Sequence, residues 1–176
     1  MPTMPTMPAI IEIALIAFVC AAAWSDVRTR RIPNSITVSG AVVGLVLHVL
    51  YSGMYGAIQS LGGAALGLAI FIALYAAGGM GAGDVKLFGA VGAFAGPQAL
   101  ILVFVFTGLL GGIAGLALAL WRGRLRQTIS RSGEILMGIS RLRWHQVRAA
   151  AGPDSLRLPY GAVIAGGTLL SLVVLR

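Results

Sequence analysis

Two aspartates are the residues of this sequence whose type and setting best suit chemistry. The chain of 176 residues has only five acidic side chains. Glu12, Glu134 and Asp154 are most simply explained as an interfacial carboxylate, part of an amphipathic segment and a turn residue. Asp26 in "WSDVRTRRIPN" and Asp84 in "GMGAGDVK" remain, and each stands where an apolar segment meets a polar one. Ionisable residues of apolar segments are costly and indicate function by default.

Two carboxylates at one site can act as an acid–base pair. In acid proteases, one carboxylate takes a proton from water as the water attacks a peptide carbonyl, and the other donates a proton to the carbonyl oxygen. No Ser/His/Asp or Cys/His set falls at positions where its members could meet in one site, so no other catalytic group competes with the aspartates. Cys20 lies in an apolar run, and His48 and His145 lack metal-ligand spacing, so we expect no metal and no cofactor.

The elements that must position the aspartates are membrane helices. Hydrophobic residues make up 58% of the chain and charged residues 10%, with mean hydropathy +0.93, whereas a soluble domain carries about 25% charged residues. No polar stretch is long enough to bury a core of its own, which predicts a single membrane-embedded domain over residues 1–176. The predicted fold class is an all-α, polytopic membrane helix bundle.

Hydropathy and turn residues predict about six transmembrane helices. They cover residues 8–24, 36–51, 57–77, 85–95, 98–121 and 158–175. The segment "YSGMYG" divides the second from the third, and "GPQ" divides the fourth from the fifth. The fourth is short and must borrow residues from the glycine-rich loop before it.

The basic residues predict the orientation of these helices. Twelve of the thirteen Lys and Arg side chains fall in the connections after the first, third and fifth spans, and only Arg176 lies on the opposite side. By the positive-inside rule, those connections are cytoplasmic and both termini lie outside the cytoplasm. The net charge of +8 then reflects membrane topology, so we expect no nucleic-acid partner.

The longest polar connection lies at about residues 122–157. Leu125, Ile129, Leu136 and Ile139 recur there at helical spacing among arginines. This pattern predicts a basic amphipathic helix on the cytoplasmic leaflet, in contact with anionic membrane lipids. A solvated charged loop is the alternative.

Four features in one order resemble a known family. "GAGDVK" at residues 81–86 resembles the GxGD motif of intramembrane aspartic proteases, in the longer form found in bacterial type IV prepilin peptidases. An aspartate before "IPN" and a "PYG" motif at the last helix resemble the same family. The resemblance implies that Asp26 and Asp84 are catalytic. It also implies roles in positioning the site or the substrate for Gly81, Gly83, Lys86, Ile32, Pro33, Asn34, Pro159, Tyr160 and Gly161.

This resemblance implies an enzyme of the bacterial cytoplasmic membrane with its site at the cytoplasmic face. It would cleave the basic leader of a prepilin or pseudopilin just before the hydrophobic helix of that substrate. Long prepilin peptidases carry two CxxC pairs in an N-terminal region associated with methylation, whereas this chain starts almost directly with its first span. It therefore resembles the short, peptidase-only form that serves Flp or Tad-type pili, and neither zinc nor methyl transfer is expected.

The helix ends lead to a hypothesis about proton transfer. A helix N-terminus and Lys86 favour a charged Asp84, so we expect Asp84 to be the base and Asp26 to hold the shared proton, although the arginines that follow Asp26 favour the reverse. Two other classes of function stay open at this point. The aspartates could form the relay of a small ion or proton transporter, or the chain could be a non-catalytic subunit of a pilus or secretion assembly.

Overall fold

The fold consists of helices throughout the part of the chain that the structure describes. The computed structural model describes residues 8–76, 80–121 and 160–175. The helices are α1 (Ala9–Thr29), α2 (Asn34–Ala76), α3 (Ala82–Trp121) and α4 (Tyr160–Val174). The prediction of an all-α fold is confirmed. Three helices, α1, α2 and α3, are long and apolar enough to cross a membrane, and α4 is a shorter apolar helix.

Two glycines break the long helices α2 and α3. Gly53 has φ 57° and ψ −135°, and Gly96 has φ 70° and ψ 170°, combinations that are essentially restricted to glycine. Pro97 follows Gly96 and opens the next helical segment, where a missing N–H group costs nothing. The break also frees carbonyl groups, and His48 Nε2 donates to the carbonyl oxygen of Phe94 over 2.8 Å.

The chain reverses direction at both glycines. A Cβ atom on Gly56 would overlap the carbonyl oxygen of His48, although eight residues of straight helix would separate these positions by about 12 Å. The ring centroids of Phe88 and Phe104 lie 6.3 Å apart, where a straight helix would separate the two residues by about 24 Å. We call the arms α2a (residues 34–52), α2b (54–76), α3a (82–95) and α3b (97–121).

The reversals fall where the sequence predicts turns, in "YSGMYG" and "GPQ". They divide the described helices into six segments, which match the six predicted spans in order. How many of the segments cross a bilayer, and on which side the termini lie, stay predictions. The amphipathic segment predicted at residues 122–157 lies outside the described residues.

Glycines let α2b and α3a approach until their backbones touch. A Cβ on Gly63 would overlap the carbonyl oxygen of Gly92, and a Cβ on Gly92 would overlap that of Gly63. One turn away, a Cβ on Gly67 would lie 2.8 Å from the carbonyl oxygen of Phe88. The pairs 63/92 and 67/88 show that the two arms are antiparallel. Because lipid is as apolar as the side chains, close packing of this kind is what holds membrane helices together.

The arm α3a is the centre of the bundle. Every residue from 87 to 96 is buried. Phe71 of α2b stacks on Phe88 with ring centroids 3.9 Å apart, and Phe18 of α1 lies 5.4 Å from Phe94. The arm that carries Asp84 in its first turn is therefore enclosed by its neighbours along most of its length.

The last helix, α4, packs against α1 and α3. Its buried side is mostly small: Gly161, Ile164, Ala165, Gly167, Thr168, Ser171 and Leu172. A Cβ on Gly167 would overlap the hydroxyl of Thr107 in α3b. This packing brings the first turn of α4 to the last turn of α1.

We predict that Gly63→Ala destabilises the fold and that Gly62→Ala does not. Both changes raise helix propensity equally, but the new methyl at position 63 meets the backbone of Gly92, whereas at position 62 it meets only Pro97 Cγ at 4.0 Å. Overpacking against a backbone that cannot yield costs about 1–3 kcal/mol. Thermal unfolding in detergent should show a lower Tm for Gly63→Ala alone, and equal Tm values for the two variants would contradict the described contact.

Candidate active site

Asp26 lies on the buried face of α1, in the last turn of that helix. The other buried residues of α1 recur at spacings of three and four, and Asp26 continues their stripe: Ile11, Leu15, Phe18, Val19 and Ala22. Only 7% of Asp26 is exposed. Its Oδ2 atom accepts a hydrogen bond of 2.8 Å from the backbone N–H of Gly161.

Gly161 is the second residue of α4, where backbone N–H groups have no partner within their own helix. Asp26 satisfies one of them from α1, so the carboxylate caps a helix that starts 134 residues later in the sequence. A Cβ on Gly161 would lie 2.8 Å from Oδ2, 2.9 Å from Cβ and 3.0 Å from Cγ of Asp26. Glycine is required at position 161 because any side chain there would displace the carboxylate.

Asp84 lies in the first turn of α3 and is half-buried. Its Oδ2 atom accepts the backbone N–H of Gly81 (3.1 Å), while its own N–H donates to the carbonyl oxygen of Gly81 (3.1 Å). This reciprocal arrangement resembles half of a capping box, in which the side chain at the third helical position reaches back to the residue before the helix. The Asp84 side chain is thereby held over the start of α3a.

The connection between α1 and α2 is bonded to the end of α1. Arg30 has φ 51° and donates its N–H to the carbonyl oxygen of Asp26 (2.7 Å). The hydroxyl of Ser25 donates to the carbonyl oxygen of Arg31 (3.1 Å), and the hydroxyl of Thr29 is shared between the carbonyl oxygens of Ser25 (2.8 Å) and Arg31 (3.0 Å). These two hydroxyls were not among the predicted site residues. Their signal in the sequence is a Ser and a Thr four residues apart in a final helical turn, where such side chains bond to nearby backbone groups.

The "IPN" motif joins this connection to α3. Pro33 directly precedes α2, and its carbonyl oxygen accepts the first hydrogen bonds of that helix. Ile32 lies beside Gly83, with 3.6 Å between its Cβ and the position a Cβ would take on Gly83. Lys86 Nζ donates to Asn34 Oδ1 over 2.9 Å. The predicted motif residues from the two parts of the sequence are thus in contact.

Two hydrogen bonds relate the helix ends that carry the predicted site residues. Gly161 in the first turn of α4 bonds to Asp26 at the end of α1 (2.8 Å), and Lys86 in the first turns of α3 bonds to Asn34 at the start of α2 (2.9 Å). Tyr160 is the first residue of α4 and is half-buried. The start of α4 therefore lies at the end of α1, and the start of α3, which carries Asp84, lies against the connection that follows α1.

Pro159, the first residue of the "PYG" motif, lies outside the described residues, as do the first two glycines of the run before Asp84. In residues 8–76, 80–121 and 160–175, no group of three or more His, Cys, Asp or Glu side chains could hold a metal ion.

Two carboxylates that come within hydrogen-bond distance of each other can share one proton. Such a pair can act as acid and base on the same bond.

Comparison with known proteins relates this chain to one enzyme family. Residues 13–116 match the model of the type IV leader peptidase family. A prepilin leader peptidase/N-methyltransferase of Burkholderia pseudomallei (strain 1026b) is 32% identical over 133 residues, covering 69% of this chain and 41% of that protein. One from Neisseria gonorrhoeae is 30% identical over 116 residues, covering 62% of this chain and 41% of that protein.

The matched part thus corresponds to less than half the length of these relatives. No solved structure matches the chain. The family match includes most of α1, all of α2 and most of α3, and with them both aspartates. The relationship expected from the motifs is confirmed: the chain belongs to the type IV leader peptidase family.

Proposed function

We propose that this protein is a membrane aspartic endopeptidase that removes the basic leader from type IV prepilins of the Flp or Tad class. The observation that carries the proposal is that helix contacts join the segments of Asp26 and Asp84, which lie 58 residues apart in sequence. Asn34, after Asp26, bonds to Lys86, two residues after Asp84. Membership in the type IV leader peptidase family supports the reaction class. The Flp or Tad class of substrate stays an expectation from the resemblance stated in the sequence analysis.

The two carboxylates would carry out the hydrolysis as an acid–base pair. The ionised aspartate takes a proton from water as the water oxygen bonds to the scissile carbonyl carbon, and the protonated aspartate donates its proton to the carbonyl oxygen. The tetrahedral intermediate then loses its C–N bond as the leaving nitrogen takes the proton that the first aspartate accepted from water. One of the two hydroxyls on the former carbonyl carbon returns a proton to the second aspartate. Each aspartate accepts one backbone N–H in this structure, and the assignment of Asp84 as the base stays a prediction.

The site lies in the bacterial cytoplasmic membrane, at its cytoplasmic face, in our proposal. Arg28, Arg30 and Arg31 lie at the end of α1, within five residues of Asp26, and all are exposed. Basic residues mark the cytoplasmic side of a multi-pass protein. Both termini then lie outside the cytoplasm, and residues 1–176 form a single domain. The basic segment at about 122–157 would lie on the same side and contact anionic lipids.

A substrate helix would approach from the bilayer. The arm α2a presents an exposed apolar stripe that begins one turn after Asn34, next to the site: Val38, Val42, Val46 and Val49. The hydrophobic helix of a prepilin fits along such a stripe with its leader at the site. The cleaved bond must be unwound before water can reach its carbonyl carbon, and the glycine before the cut in such substrates eases unwinding.

We predict that Asp26→Asn and Asp84→Asn each abolish release of the leader. An amide can neither take the proton of water nor supply one, and loss of a general acid or base costs about 10²–10⁴-fold in rate. Purified protein in detergent with a Flp-type prepilin would show this on a gel. Glu12→Gln, a change to the other acidic residue of α1, is the matched control and should leave cleavage intact.

Cleavage that survives both asparagine changes would contradict the paired mechanism. A wild-type protein that cleaves no prepilin but moves protons or ions across liposomes would instead indicate the transporter, in which the same aspartates form a relay.

We further predict that Gly161→Ala lowers kcat by about 10²-fold, since displacing reacting groups by about 1 Å costs this much. The new methyl would lie within 3.0 Å of three Asp26 atoms and must move the carboxylate. Gly166→Ala in the same helix is the control, because its methyl meets only the flexible end of Leu110 at 3.0 Å. Equal steady-state cleavage rates for the two variants would show that the Asp26 position does not depend on Gly161.

A further inference from the structure

A hydrogen bond between Asn34 and Lys86 joins the two parts of the chain that carry the aspartates. It spans 52 residues of sequence over a distance of 2.9 Å. Asn34 is the first residue of α2, just beyond the connection that follows Asp26. Lys86 follows Asp84 by two residues in the first turns of α3. The bond therefore links two points that each lie close to one of the carboxylates.

The path from Asp26 to Asn34 is held at several points. The carbonyl oxygen of Asp26 accepts the N–H of Arg30 (2.7 Å), and the carbonyl oxygen of Arg31 accepts the hydroxyl of Ser25 (3.1 Å) and shares that of Thr29. Pro33 then fixes its own φ angle directly before α2. The connection thus moves with the last turn of α1, and the position of Asn34 is tied to the position of Asp26.

The path from Lys86 to Asp84 is shorter and is helical. Asp84 caps the start of α3 through Gly81, and Gly83 leaves space for Ile32. Asn34 and Lys86 are both exposed, and an exposed hydrogen bond contributes little to the stability of a fold because water competes for both partners. Its consequence comes from what it joins, the segment that follows Asp26 and the helical turn that carries Asp84, rather than from its strength.

We propose that Asn34 and Lys86 are positioning residues of the peptidase site. Their hydrogen bond holds the start of α3 against the α1–α2 connection and sets the spacing of Asp26 and Asp84. This inference rests on the proposed peptidase function. In it, Lys86 acts as a donor to Asn34, and Asn34→Leu therefore impairs catalysis although the lysine charge remains next to Asp84.

Steady-state kinetics with a Flp-type prepilin test the role. Asn34→Leu and Lys86→Met should each lower kcat by about 10- to 100-fold, as expected for displaced catalytic groups, and leave KM within about twofold. The double variant should be no slower than either single variant, because both remove the same contact. Asn34→Asp and Lys86→Arg keep an acceptor and a donor and should retain most of the wild-type rate. Ser35→Leu, at the exposed position next to Asn34, is the control for a leucine in this turn.

Lys86 is the only lysine of the chain, which gives a readout independent of activity. With ¹³C,¹⁵N-lysine incorporated into the detergent-solubilised protein, its side-chain NMR signal should shift in Asn34→Leu and not in Ser35→Leu. A signal that Asn34→Leu leaves unchanged would overturn the proposal, since the hydrogen bond would not exist in solution.

These experiments distinguish an incorrect positioning role for Asn34 and Lys86 from an incorrect peptidase function. If wild type cleaves the prepilin and Asn34→Leu cleaves it at the same rate, the positioning role is wrong and the peptidase function stands. If Lys86→Met is slow and Asn34→Leu is not, the lysine acts by its charge, which also overturns the role. If wild type cleaves no prepilin, the peptidase function is wrong and the positioning role falls with it.

Discussion

The structure depends on one constraint: a carboxylate buried among helices must be given a hydrogen-bond donor, because an unpaired one would cost several kcal/mol. Asp26 finds its donor in the backbone of Gly161, and the same bond satisfies an N–H group at the start of α4. The end of α1 and the start of α4 are thereby fixed against each other. Asp26 lies so close to the backbone of Gly161 that no side chain fits there. The carboxylate therefore needs a glycine at position 161, and the N–H of Gly161 needs the carboxylate as its acceptor.

Backbone contact between the remaining helices sets the position of the second carboxylate. Gly63 and Gly92 let α2b lie directly on α3a, and the enclosed arm α3a has Asp84 in its first turn. The glycine contacts fix how closely α2b and α3a approach, because small residues let the two backbones touch. The position of α3a within the bundle is therefore set by contacts that lie away from the aspartates. The polar contacts near the aspartates then have only the final spacing to adjust. The residues that pack the helices and the residues proposed to carry the reaction thus lie at different positions along the same helices.

Some of this arrangement could be predicted from the sequence and some could not. The turns at Gly53 and Gly96 were predicted, since glycine and proline in apolar runs are local signals. The burial of Asp26 continues a helical period that begins at Ile11, so it could also be found locally. The bond from Gly161 to Asp26 has no such signal, because a backbone N–H belongs to every residue and its partner depends on how helices are ordered. The same holds for Asn34 and Lys86, whose contact needs α2 and α3 to be placed side by side.

In the proposed mechanism, Asp26 and Asp84 face a single scissile bond. The most direct measurement is calorimetric titration of the purified protein with a leader peptide that carries a hydroxyl-bearing, non-cleavable isostere at the cleavage site. The hydroxyl can donate to the ionised carboxylate and accept from the protonated one at once. We expect wild type to bind the isostere far more tightly than the matching amide peptide, and Asp26→Ala and Asp84→Ala each to remove that preference. Preference retained by either variant would show that the two aspartates do not share one site.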